Sequence, residues 1–210
     1  MDIKSEVEKS SYALGINMGQ SVKQFPFELS KEALIAGFTD IVNDAEIKIG
    51  QEEYGQLMHA LQTKMQEAQQ EQSEAMKGAS EANLVAQQEF IAKNAKEAGV
   101  ETTESGLQYQ VITEGEGAMP TKEDTVRVHY TGTLLDGTVF DSSVERGQPA
   151  EFGVGQVIAG WTEALQNMKV GSKHKLFIPA ELAYGDRGAG QQIAPGSMLI
   201  FEVELLDIVK

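Results

Sequence analysis

The feature that most constrains the fold is an alternating segment that turns at Asp136-Gly137. Apolar and polar residues alternate along Val126-Arg127-Val128-His129-Tyr130-Thr131-Gly132, and Phe140-Asp141-Ser142-Ser143 follows the turn. This period of two is typical of a strand with one buried face. An Asp-Gly pair between two such runs favours a tight β-hairpin, because both positions tolerate a positive φ. The sequence therefore predicts an antiparallel sheet that carries an aromatic residue and a carboxylate side by side.

The rest of the C-terminal half continues this pattern. Further strands are expected at residues 107–111, 173–178 and 197–209, where apolar residues alternate with polar ones or form short runs. Residues 161–168 have helical spacing instead and are followed by a glycine that stops the helix. We predict an α+β domain over residues 99–210, in which a curved antiparallel sheet wraps around one short α-helix.

The N-terminal half has the period of helices. Residues 4–22 and 30–42 carry apolar residues at helical spacing, and Ser30 is the expected N-cap of the second helix. No proline occurs from Gln51 to about Glu97, and a continuous helix of that length would be roughly 70 Å long. We therefore expect two short helices followed by one long connecting helix.

The long helix carries an apolar seam along its first half. The seam residues follow a 4-3-4-3 spacing that keeps one face toward a partner: Tyr54, Met58, Leu61, Met65 and Ala68. A segment of about fifty residues is marginally stable alone. We therefore predict an all-α homodimerisation module over residues 1–65 with intertwined protomers, and a continuation of the long helix over residues 66–98. The alternative is a monomeric helical hairpin packed on the C-terminal domain.

Composition excludes several classes of protein and of site. The 210 residues include no cysteine, which excludes disulfides, thiolate chemistry and cysteine-based zinc sites. A net charge of −15 argues against nucleic acid as a partner, because such binding depends on lysine and arginine. No apolar run is long enough to predict a membrane span. The first residues lack the pattern of a secretory leader, so we expect a cytoplasmic location, or a periplasmic or cell-surface one if a leader was removed.

Five motifs of the C-terminal half carry a resemblance to a known family. They are Val128-His129-Tyr130-Thr131-Gly132, Phe140-Asp141-Ser142-Ser143, Val157-Ile158-Ala159-Gly160-Trp161, Ala183-Tyr184-Gly185 and the final apolar strand. In this order and spacing, residues 105–210 resemble the FK506-binding-protein (FKBP) type of peptidyl-prolyl cis-trans isomerase. The preceding helices are similar to those of the bacterial macrophage-infectivity-potentiator (Mip) subgroup, a resemblance that implies a V-shaped homodimer.

The resemblance implies a cleft that binds proline-containing, unfolded or partly folded polypeptides. Its floor would be Trp161, its catalytic residues would be Asp141 and Tyr184, and Arg146 would hold the Asp141 carboxylate. The other substrate-binding residues would form the walls: Tyr130, Phe140, Phe152, Val157, Ile158, Ile193 and Phe201. Macrolide inhibitors such as tacrolimus and rapamycin are expected to bind in the same cleft.

The expected reaction needs neither a metal nor a cofactor. Rotation about a peptide C–N bond faces a barrier of about 18–20 kcal/mol, and X-Pro isomers exchange over tens to hundreds of seconds. No covalent bond forms or breaks. An apolar pocket that removes water from the carbonyl favours the twisted amide, because that species is less dipolar than the planar amide. Catalysis would then be differential binding of the transition state.

A second function class stays open at this point. A dimer with two apolar clefts would have chaperone activity, since one bound arm raises the effective concentration of the other for the same flexible client. The alternative to the enzyme is therefore a holdase chaperone or peptide-binding module without catalysis. Acceleration of proline-limited refolding separates the two.

Overall fold

The computed structural model describes residues 3–209. Met1, Asp2 and Lys210, the outermost residues of the two predicted domains, lie outside this range. The chain divides into two compact units between Ser73 and Glu74. The division falls inside the long helix, and the domain boundaries predicted at residues 65 and 98 stay predictions. Over the described residues, no helix combines the length and the apolar character that crossing a bilayer requires.

Two capped helices begin the chain. Helix α1 spans Glu6–Lys23 and starts with a capping box, in which Glu8 N–H donates to Ser5 Oγ (3.2 Å) and Ser5 N–H donates to the Glu8 carboxylate (2.8 Å). Helix α2 spans Lys31–Val42. The predicted cap at Ser30 is confirmed, since its hydroxyl accepts a hydrogen bond from Ala33 N–H at 3.2 Å.

The long connecting helix is also confirmed. Helix α3 spans Gln51–Asn94 and ends four residues before the predicted end at residue 98. Gly99 follows with a φ of +80°, a conformation that glycine adopts without steric cost. This residue leads the chain from the helix into the first strand.

One antiparallel sheet forms the C-terminal half. Its strands in the described range are β1 (Val100–Thr102), β2 (Gln108–Thr113), β3 (Thr125–Thr133), β4 (Val139–Ser142), β5 (Ala150–Gly153), β6 (Lys173–Ile178) and β7 (Leu199–Val209). Their order is β1-β2-β6-β7-β3-β4, and β5 pairs with the beginning of β3. Strand β3 is thus central. It pairs with β7 along one edge, and along the other edge its beginning pairs with β5 and its end pairs with β4.

The core lies between this sheet and one short helix. Along β3, Val126, Val128 and Tyr130 are buried and alternate with less buried polar residues. Helix α4 (Ala159–Gln166) contributes Trp161 and Leu165 to the same hydrophobic cluster. The predicted α+β architecture is therefore confirmed, with the helix beginning two residues earlier than the pattern indicated.

The predicted Asp-Gly hairpin joins β3 to β4. Leu134 N–H donates to Thr138 O at 2.9 Å, and Gly137 N–H donates to Leu134 O at 3.0 Å. Gly137 has a φ of +87°, whereas Asp136 does not have a positive φ and instead accepts Thr138 N–H with its carboxylate at 2.9 Å. The turn is confirmed, but the reason for its aspartate is the side-chain hydrogen bond.

Candidate active site

A cluster of aromatic rings surrounds Trp161 at the concave side of the sheet. The Trp161 ring meets three others almost at right angles, with centroid distances of 5.3 Å to Tyr130, 5.2 Å to Phe201 and 5.7 Å to Phe152. Phe140 meets Phe201 at 5.5 Å and 90°. Edge-to-face contacts of this kind are favourable beyond the area they bury. They hold the rings as fixed walls of a cleft.

Strand pairing explains which rings reach the cleft. In the register of β3 with β7, Tyr130 pairs with Val203 and Gly132 pairs with Phe201. A Cβ at Gly132 would lie 2.6 Å from Phe140 and 2.7 Å from Phe201. A glycine is therefore required here, because the two phenylalanine rings occupy the space of a side chain.

Phe140 and Asp141 face the cleft together because β4 contains a register shift. Thr133 pairs with Val139 and Gly132 pairs with Asp141, so that Phe140 is the extra residue of a β-bulge. Consecutive residues of a regular strand point to opposite faces, and a bulge redirects one of them. The bulge thus places an aromatic ring and a carboxylate on the same wall.

Asp141 is held by two neighbours. The Tyr130 phenol donates to one carboxylate oxygen, and the Arg146 guanidinium donates to the other. Arg146 Nη2 also donates to the Tyr130 hydroxyl at 3.0 Å. The three side chains form a closed hydrogen-bonded triangle that fixes the carboxylate orientation.

The triangle shifts two pKa values. Burial raises the pKa of Asp141, but the hydrogen bonds from Tyr130 and Arg146 outweigh it, and the pKa lies below its ordinary value. Burial and the hydrogen bond to Asp141 raise the pKa of Tyr130. At neutral pH the carboxylate is therefore charged and the phenol is protonated.

Tyr184 also lines the cleft. It sits between two one-turn 3-10 helices, Ala180–Leu182 and Gly185–Arg187, and its side chain is 42% exposed. The cleft has a volume of about 490 Å³ and is lined by Tyr130, Phe140, Asp141, Phe152, Gln156, Val157, Ile158, Trp161, Tyr184 and Phe201. A mainly apolar cleft with a carboxylate and a phenol among its lining groups suits an extended apolar peptide segment.

Two predicted site residues are not among those that line the cleft, and their part in substrate binding stays a prediction. Arg146 is behind Asp141 and contacts the cleft through that carboxylate. Ile193 is buried in the hydrophobic core, where its backbone pairs with Ala189. His129 lies on the opposite face of β3 from Tyr130, half-buried, with Nδ1 3.1 Å from the Ser143 hydroxyl.

Comparisons with known proteins agree with this geometry. A family described as FKBP-type peptidyl-prolyl cis-trans isomerase matches residues 116–206, and a domain amino-terminal to that isomerase matches residues 7–111. The FKBP-type 22 kDa peptidyl-prolyl cis-trans isomerase of Escherichia coli strain K12 is 47% identical over 96% of this chain and 95% of its own. The chain belongs to the FKBP-type peptidyl-prolyl cis-trans isomerase family.

Two further relatives are similar to this chain over almost its whole length. Outer membrane protein MIP of Legionella longbeachae is 38% identical over 99% of this chain and 88% of that protein. The crystal structure of FkpA from Escherichia coli has a TM-score of 0.68 and 41% identity, covering 99% of this chain and 98% of that one. The predicted family, its N-terminal helical domain and its isomerase activity are confirmed.

Two residues of the FKBP cleft were not predicted. Gln156 lines the cleft from a one-turn helix, and Gly132 makes room for its rings. Gly132 belongs to a motif that the sequence had singled out, but nothing in the alternation indicated its contact with Phe140. For Gln156 the sequence offers no signal, because most polar residues between a strand and a helix face the solvent and nothing in the sequence distinguishes this one.

Proposed function

We propose that the cleft binds an X-Pro segment with the proline ring against Trp161. Tyr130, Phe140 and Phe201 would pack around the ring, and their edge-to-face contacts with one another and with Trp161 support a rigid seat. Phe152, Val157 and Ile158 complete the apolar wall. The observation that carries this assignment is the ring cluster beside a fixed carboxylate.

The two polar groups have separate roles in this proposal. Tyr184 donates its hydroxyl hydrogen to a substrate carbonyl and fixes the register of the peptide. Asp141, held by Arg146, interacts with the rotating carbonyl or orients the chain. Neither group forms a covalent bond to the substrate. The rate gain therefore comes from tighter binding of the twisted amide than of the planar amide.

Two substitutions test these roles on the full chain. Tyr184→Phe and Asp141→Ala are each expected to lower kcat/KM for cis-to-trans exchange of a short X-Pro peptide by about tenfold or more, as expected for the loss of a group that acts in the transition state. Tyr109→Phe is the matched control, because its phenol donates to Glu101 and Tyr109 is not among the residues that line the cleft. Unchanged kcat/KM in Tyr184→Phe and Asp141→Ala would contradict the assignment.

We further propose that the N-terminal helices form a homodimer. No residue between 3 and 73 is buried, although α1, α2 and the beginning of α3 carry many apolar side chains. An open groove of about 650 Å³ is lined by Val22, Phe25, Leu29, Leu34, Gly55, Met58, His59, Leu61, Gln62 and Met65. Exposed apolar surface of this extent is costly in a monomer. A second copy of the same helices is the occupant that the predicted seam favours.

Chaperone activity would follow from such a dimer, since two clefts act on one flexible client. Deleting residues 1–65 is expected to leave turnover of a short peptide almost unchanged and to reduce proline-limited refolding of a protein substrate sharply. Equal losses on both substrates would contradict this division of roles. A purely non-catalytic holdase would accelerate neither.

Macrolide inhibitors stay a prediction for this cleft. Tacrolimus or rapamycin would compete with the peptide for the seat on Trp161. Ala150 and Leu182 are partly buried and pack against the core that contains the ring cluster. Inhibition of peptide isomerisation by either compound, and its loss in Trp161→Ala, would test this assignment.

The cellular location also stays a prediction. The cytoplasmic location expected from the first residues finds no support in the relatives, one of which is named Outer membrane protein MIP. We therefore favour the alternative, the periplasm or the cell surface. Fractionation of cells that express the full-length gene product would test it.

A further inference from the structure

The second half of α3 packs against the isomerase through Phe90, whose ring lies 5.7 Å from that of Phe177, and through a row of polar side chains. Residues 74–94 belong to the same compact unit as the sheet. Ser80, Asn83, Gln87 and Asn94 follow one another at helical spacing and form this row, in which Gln87 and Asn94 are buried. Glutamine and asparagine are mostly exposed in proteins, so burial of two of them on one helix indicates specific partners.

Gln87 uses both ends of its amide. Its Oε1 accepts a hydrogen bond from Ala180 N–H at 2.7 Å, and its Nε2 donates to the Glu181 carboxylate at 3.1 Å. A buried amide is costly unless it is hydrogen-bonded, so this geometry fixes Ala180 and Glu181 against the helix. These two residues begin the segment that carries Tyr184.

The helix also holds the end of that segment. Asn83 Nδ2 donates to Pro195 O at 2.9 Å. Ser80 lies against Gly196, where an added Cβ would come within 2.7 Å of the Ser80 carbonyl oxygen. Gly196 N–H in turn donates to Gly185 O at 2.9 Å and closes the base of the loop. The segment from residue 180 to residue 196 is therefore attached to α3 at both ends.

Tyr184 depends on this attachment for its position. Its side chain is 42% exposed, so the backbone on which it stands determines where the phenol lies. Ile193 anchors this segment in the core, and Leu182, Ala183 and Ala189 pack against it. Further hydrogen bonds to the backbone come from a helix that precedes residues 116–206, the part matched by the isomerase family.

We propose that residues 80–87 of α3 clamp the Tyr184 segment and that Gln87 and Asn83 are positioning residues for isomerisation. Neither touches the substrate. They act through the backbone of residues 180–196, and the catalytic effect rests on the proposed function of the cleft. The connecting helix is then a working part of the isomerase site and more than a spacer.

Introduction of a negative charge at Gln87 tests the clamp in the full-length protein. Gln87→Glu opposes the Glu181 carboxylate and is expected to lower kcat/KM for a short X-Pro peptide by about two- to thirtyfold, the range of energetic coupling through packed elements. Adding Glu181→Gln returns a donor opposite the new carboxylate, and the double variant is expected to recover to within about twofold of the original protein. Gln88→Glu, with the same charge change on an exposed neighbour, is expected to keep full activity.

Hydrogen exchange distinguishes positioning from general destabilisation. Amides of residues 184–196 should exchange faster in Gln87→Glu, and return to their original rates in the double variant, while amides of β3 and β7 stay protected. The clamp is overturned if Gln87→Glu keeps full kcat/KM, or if the double variant recovers neither activity nor protection. If Tyr184→Phe keeps the original kcat/KM, the proposed role of Tyr184 is contradicted instead. The clamp itself is tested by the kcat/KM of Gln87→Glu and of the double variant.

Discussion

The phenol of Tyr130 donates a hydrogen bond to Asp141 across the bulged pair of strands β3 and β4, and Arg146 holds the other carboxylate oxygen. The phenol belongs to the ring cluster, since its ring meets Trp161 at 5.3 Å. One residue therefore joins the apolar seat to the polar wall. The orientation of the carboxylate and the packing of the rings are fixed by the same side chain.

Removal of the Tyr130 hydroxyl tests whether this residue joins the ring cluster to the Asp141 carboxylate. Tyr130→Phe keeps the ring but deletes the hydrogen bond, and the pKa of Asp141 is expected to rise, because that bond favours the charged form. The free energy of unfolding should fall by about 1 kcal/mol, as for a typical hydrogen bond. Carboxyl NMR titration and urea unfolding measure the two effects, with Tyr109→Phe as the control. A pKa that does not move would contradict the account of Asp141.

Acid should weaken the fold through Asp141. Its pKa in the folded chain lies below the unfolded value of about 3.9, so the folded state binds the proton less readily. The stabilisation is fully present above that unfolded value and is lost as the pH falls through the folded pKa. The salt bridge is substantially exposed, which makes the contribution small. Urea unfolding from pH 6 to pH 2 should show a shallower acid loss in Asp141→Asn than in the original protein.

Two glycines offer a matched pair of alanine substitutions. Gly132→Ala places a Cβ within 2.7 Å of Phe140 and Phe201, so it should displace these rings and lower both stability and kcat/KM. Gly78→Ala in α3 meets open space and should stabilise the helix by about 1 kcal/mol without affecting turnover. Thermal unfolding and the peptide assay measure both. If the two substitutions changed stability and kcat/KM equally, the close approach of Phe140 and Phe201 to Gly132 would not matter for the fold or for catalysis.

The proposed dimer predicts a mass of twice 22.8 kDa in solution. Leu61→Lys introduces a charge into the groove of the N-terminal helices and should shift the protein toward the monomer. Gln69→Lys carries the same charge on an exposed position of α3 outside that groove and should leave the dimer intact. Sedimentation equilibrium measures the mass. A monomeric original protein at micromolar concentration would contradict the dimer.

Periodicity predicted the architecture well, because side chains repeat with a period of two along a strand and of 3.6 along a helix. The alternation at Val126, Val128 and Tyr130 has a period of two, and the residues of α3 have a period near 3.6. The helix cap at Ser30 was readable because the hydroxyl acts within three residues. Local signals of this kind are contained in the sequence itself.

The details of the site depend on long-range contacts, which periodicity does not contain. Strict alternation would separate Phe140 from Asp141, and the bulge that brings them to one wall was not predicted. Gln87 resembles its solvated neighbour Gln88 in sequence, but its partner Ala180 lies 93 residues away. Ile193 was expected in the cleft from family resemblance; it is buried in the cluster that also contains Trp161 and Phe201, and its role in the site stays a prediction.

The most direct test is exchange NMR of a short X-Pro peptide with a trace of the full-length protein, comparing the original chain with Trp161→Ala. We expect the original chain to shorten cis-to-trans exchange well below its uncatalysed time of tens to hundreds of seconds, and Trp161→Ala to lose most of this acceleration. Acceleration that survives the loss of Trp161 would contradict the aromatic seat. Absence of any acceleration by the original chain at micromolar concentration would contradict the mechanism as a whole.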